Sequence, residues 1–162
     1  MELGTAIVGI IVTLICTVPI VILNIKKRNK EKTILNVLNK IASENNSQID
    51  EYEIWNQSAI GLDNNSAYIF YTSLINENKI SNSVNLSDVE KTKVNSIYRS
   101  VNTDDRTYNI IDKLELEFIY KNKNSAEKVL EFYNSNTNRL TLAGELQIAE
   151  KWSNKINALI KK

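Results

Sequence analysis

The chain has 162 residues, 20 Lys and Arg against 19 Asp and Glu, a single cysteine and no histidine. Without histidine, Ser-His-Asp and Cys-His catalysis, His-ligated zinc and the HExxH protease helix are excluded together. The lone Cys16 rules out a disulfide scaffold and an all-cysteine metal site. Past residue 25 the only glycines are Gly61 and Gly144, so no glycine-rich phosphate loop exists and no cofactor or metal is expected.

Leu3 to Leu23 carries no charged side chain. Roughly 20 such residues match a bilayer's hydrocarbon core, so a single-pass membrane anchor is expected over residues 1–25. The apolar run is too long, and followed by the wrong residues, for a cleaved signal peptide. Pro19 reads as a tolerated proline, and Thr5 with Gly9 as one small-x-x-x-small pair. Lys26, Lys27, Arg28, Lys30 and Lys32 follow at once. By the positive-inside rule this cluster places the N-terminus outside and the remainder in the cytoplasm, on the cell membrane. The lipid bilayer is then a partner, and anionic headgroups are a further possible ligand for the cluster.

Residues 26–45 carry a net charge of +4 and residues 46–162 a net of −2. The second value argues against a nucleic-acid partner. Within 29–44, Ile34, Val37, Leu38, Ile41 and Ala42 recur at helical spacing and predict an amphipathic helix packed on the domain. From residue 48 the period shortens. Strands are expected over 48–55, 58–62, 66–75, 80–86, 91–101, 107–120 and 128–134, separated by Asn- and Asp-rich turns. The clearest alternation is in 107–120: Leu114, Leu116, Phe118 and Tyr120 share one face, and Lys113, Glu115 and Glu117 the other. Turns every 8–15 residues imply an antiparallel sheet. A helix over 141–162, capped by Thr141, aligns Leu142, Leu146, Ala149, Trp152, Ile156 and Leu159.

Seven strands followed by one amphipathic helix, the segment Val84-Asn85-Leu86-Ser87-Asp88-Val89 and Trp152 with Ile156 in the last helix together resemble a bacterial pleckstrin-homology-like domain. The resemblance spans residues 48–160. It implies a seven-stranded antiparallel sandwich or barrel capped by the C-terminal helix, within a domain of residues 46–162. It also implies a binding module for phosphoinositide headgroups or protein partners, with Trp152 packed into the barrel mouth. The loop at Asn56-Gln57, where lipid-binding members carry basic residues, has none.

The expected role is therefore a non-catalytic binding module at the cytoplasmic membrane face, with a protein partner. The alternative is a structural subunit of a membrane complex. No catalytic residue is assigned. Glu115 and Glu117, about 7 Å apart along one strand face, have a spacing that can serve glycoside hydrolysis, and they read as solvent-face residues.

Overall fold

The computed structural model describes residues 3–75, 78–103, 106–122, 127–137 and 141–161, without the side chains of 3–10, 14, 78 and 103. The turn residues expected at 76–77, 104–105 and 123–126 lie outside the described residues. The first element is one helix, α1 (Leu3–Glu44), with Pro19 inside it. Seven strands follow: β1 (Glu51–Trp55), β2 (Ser58–Asp63), β3 (Tyr68–Ile75), β4 (Asn78–Asn85), β5 (Val89–Thr103), β6 (Arg106–Tyr120) and β7 (Lys128–Asn134). The chain ends in α2 (Glu145–Ile160).

The membrane anchor expected at Leu3–Leu23 is not supported. Among the described residues no helix is long and apolar enough to cross a membrane. The bilayer and anionic-headgroup partners and the single-pass topology with an outside N-terminus rested on that anchor. So did the roles of membrane-face module and membrane-complex subunit, and all of them fall with it. Residues 11–13 and 15–25 of α1 stand exposed, and the helix continues unbroken to Glu44.

Its last turns are the amphipathic part. Ile34, Leu38, Ile41 and Ala42 are buried against Ala59 and Phe70 on the outer face of the first sheet. The helix comes close enough there that a Cβ at Gly61 would meet Leu38 Cδ2 at 3.1 Å and Ile49 Cγ2 at 3.0 Å. Glycine is what allows this approach, since it has no side chain to displace.

The pleckstrin-homology-like barrel is also corrected. The strands form two separate antiparallel sheets, β1-β2-β3-β4 and β5-β6-β7. A single 3-10 turn, Leu86–Asp88, carries the chain from one to the other. Where strand pairing would have closed a barrel, side chains bridge the sheets instead. Trp55 Nε1 donates to the Phe132 carbonyl (3.1 Å), Tyr71 Oη to the Glu131 carbonyl and Lys128 Nζ to the Ser83 carbonyl (2.6 Å). A backbone acceptor satisfied by a side chain no longer recruits a strand.

The main core lies between the sheets. Ile60, Leu62, Ile69 and Tyr71 face Leu114, Leu116, Phe118, Leu130 and Phe132, with Trp55 stacked on Phe132 at a ring separation of 4.5 Å. The alternation read in 107–120 holds for Leu114, Leu116 and Phe118, which are fully buried. Helix α2 seals one side with Ala149, Trp152 and Ile156. Its N-cap is Gly144 at φ 111°, not Thr141, and Glu145 accepts from the Ala143 N–H just ahead of the helix. From the same helix, Asn157 accepts from Thr92 N (2.7 Å) and donates to Thr92 O (2.9 Å), occupying the free edge of β5 as a strand would.

Candidate functional site

Strands β5 and β6 are 15 residues each, but β7 pairs with β6 only from Lys113 to Phe118. The β5–β6 pairing continues alone, from Tyr98 opposite Ile111 to Thr103 opposite Arg106. Six residues per strand at about 3.4 Å each make a two-stranded arm roughly 20 Å long. A register shift between Ile97 and Tyr98 marks its root. The extra residue there is Asp112, whose carboxylate meets Arg99 Nε at 3.4 Å and accepts from Ser135 Oγ, while its carbonyl accepts from Ser135 N. Such a bulge bends and re-aims a strand pair.

The two faces of the arm differ. Cross-strand partners share a face, so Tyr98, Ser100 and Asn102 lie with Ile111, Asn109 and Thr107. Tyr98, 60% exposed, and Ile111 stand at the root of this face; beyond them it is polar and bonded within itself, Ser100 Oγ donating to Asn109 Oδ1 and Thr107 Oγ1 to Asn102 Oδ1, both at 2.8 Å. The other face carries Val101 opposite Tyr108 and Arg99 opposite Ile110, with Ile97 next along β5. Its apolar side chains are open to solvent: Ile97 is 44% exposed, Tyr108 50% and Ile110 37%.

The carboxylates Glu115 and Glu117 sit on the outer face of the second sheet, each matched by a lysine. Lys93 Nζ lies 2.9 Å from Glu117 and Lys113 Nζ bonds Glu115, with Glu131 at 3.2 Å. The Lys93 hydrogen bond holds Glu117 below the usual carboxylate range, while the bond from Glu127 to Glu117 raises Glu127. Lysine-paired carboxylates of this kind read as ion-pair structure. Beside them the unjoined edges of β4 and β7 border a groove of about 320 Å³ lined by Tyr71, Ser73, Ile80, Asn82, Lys113 and Glu131. Its charged lining is Lys113 against Glu115 and Glu131, and burial raises the Tyr71 hydroxyl to about 12. Among the described residues, no group of three or more metal-ligating side chains comes together.

The basic cluster falls on the exposed middle of α1. Lys26, Lys27 and Lys30 face a cleft shared with Asn56 and Gln57, and Arg28 and Lys32 line a neighbouring one with Tyr52 and Glu53. Trp152 is buried, as the sequence suggests, and its Nε1 donates to Glu53 Oε2 at 2.8 Å. No protein-family model, curated protein or solved structure matches the chain.

Sequence reasoning placed β5 and β6 inside a barrel and missed the arm. The signal lay in the strand lengths: residues 89–120 hold two strands of equal length, while the next strand has half their length.

Proposed function

We propose that this protein is a non-catalytic interaction module that contacts a partner protein through the apolar face of its β5–β6 arm. The observation that carries this reading is the arm itself. A two-stranded ribbon without a third strand is marginal in water, and this one turns its hydrogen-bonded polar ladder to one side and Ile97, Val101, Tyr108 and Ile110 to the other. Exposed apolar side chains with Arg99 set among them and Arg106 at the end of the face have the composition of a protein-binding patch. The non-catalytic part of the proposal is supported by the lysine pairing of Glu115 and Glu117.

The test is site-specific photocrosslinking in cells. A benzoylphenylalanine at Tyr108 of the full chain is expected to give a discrete protein adduct, whereas the same group at Glu90, exposed at the other end of β5, gives none. Equal smears at both positions, or no adduct at Tyr108, would reject the arm as a docking surface. Glu115→Gln and Glu117→Gln are expected to leave the adduct unchanged; its loss in a folded variant would return attention to the carboxylates.

A further inference from the structure

A second feature stands apart from the arm. Between α1 and the turn joining β1 to β2 lies an open cleft of about 860 Å³, within the size range of small-molecule sites. Lys26, Lys27 and Lys30 line it from the helix, Asn56 and Gln57 from the turn, and Ile54 and Ile75 from the strand ends. Glu31 is the one acidic residue among the described lining, so the formal balance is two positive charges. Its ion pair with Lys27 is long, at 3.9 Å, and solvent-exposed at both ends, which leaves it weak.

Two local features support occupancy by an anion. Lys26 and Lys30 are one helical turn apart, a like-charge spacing that disfavours an isolated helix and that a bound anion relieves. The turn is also held in place: Asn56 adopts φ 48°, and its side-chain amide donates to the buried Glu145. The cleft wall that carries Gln57 is thereby anchored to α2, which reduces the ordering cost of binding.

We propose that this cleft binds a small phosphate-bearing polyanion, held by the ammonium groups of Lys26, Lys27 and Lys30 and the side-chain amide of Gln57. A multiply charged phosphate group meets the net of two positive charges, and lysine serves phosphate as a point charge without a fixed fork geometry. The site needs no metal and no covalent step.

The experiment is calorimetric titration of the full chain with pyrophosphate, inorganic phosphate and sodium chloride at matched ionic strength. Saturable one-to-one binding of pyrophosphate is expected, with inorganic phosphate weaker and chloride producing no saturable heat. The double variant Lys26→Gln, Lys30→Gln is expected to bind pyrophosphate roughly tenfold more weakly, because charge-assisted contacts are lost. Lys91→Gln, in a separate cleft beside α2, keeps the affinity. Circular dichroism of the exposed-lysine variants confirms that they fold. Absence of saturable pyrophosphate binding overturns the proposal. So does an unchanged affinity in the double variant, or an equal loss in Lys91→Gln, which would reduce the effect to general charge screening.

Discussion

At the scale of single residues, Asp63 shows how one side chain organises a turn. Its carboxylate accepts from the Asn65 and Ser66 N–H groups, from the Ser66 hydroxyl and from Gln48 N. The sequence marked Asp63-Asn64-Asn65 as a turn, because Asp there bonds its own main chain; it could not show that the same carboxylate reaches back across the sequence to Gln48. These donors, the Ser66 hydroxyl first, hold Asp63 well below the usual carboxylate range. The sign of the pH dependence follows. A depressed folded-state value means the contribution is complete above the unfolded value of about 3.9 and is lost as pH falls toward the folded value. Asp63→Asn is therefore expected to lower stability by about 1–3 kcal/mol at pH 7, the scale of hydrogen bonds to a charged acceptor. The gap between variant and parent should narrow between about pH 5 and pH 3 in urea denaturation. A constant gap across that range would mean that packing, not charge, is what Asp63 supplies.

At the scale of elements, the two sheets are held by different means on their two sides. On one, α1 seats Leu38 over Gly61, where a methyl group would meet the ends of Leu38 and Ile49 at 3.0–3.2 Å. Gly61→Ala is expected to cost about 1–3 kcal/mol by overpacking, read as a lower urea midpoint with an unchanged slope. On the other, Trp55, Tyr71 and Lys128 bond carbonyls across the seam. Tyr71→Phe keeps the ring and removes the hydroxyl, and is expected to cost about 0.5–1.5 kcal/mol while raising hydrogen exchange across β7. Asn157→Ala removes both bonds to Thr92 and uncovers the β5 edge; concentration-dependent association in sedimentation is the expected result. Strand positions and inward faces were legible in the sequence because alternation reports one-sided burial directly. Sheet membership was not. Nothing local in 80–101 distinguishes a strand pair from a 3-10 turn between sheets, and the bridging side chains find their carbonyls only after folding. The backbone of α1 runs through the change from apolar to basic residues without a break, so the boundary drawn at residue 25 is one of composition alone.

At the scale of the whole molecule, the main core and the smaller one under α1 draw buried side chains from β1–β4, β7, α2 and the inner half of the β5–β6 pair. The arm shares neither core beyond Ile111, which is partly buried against the main one. Its shape was hidden in the sequence for a physical reason: a strand pair that leaves the core keeps the same alternation as one that stays in it. Only the relative lengths of β5, β6 and β7 carried the difference. Local stability should follow this division. Amides of residues 98–102 and 107–110 are expected to exchange through local opening that depends little on urea, while those of Leu114, Leu116 and Phe118 exchange only with global unfolding. Native-state hydrogen exchange across a urea series measures both at once. A fast arm in the isolated chain is what a surface that becomes ordered against a partner requires. If the arm amides were instead as protected as Leu116 in the purified protein and lost that protection on dilution, a second copy of the chain would already be covering Tyr108 and Ile110, and the partner sought by crosslinking would be the protein itself.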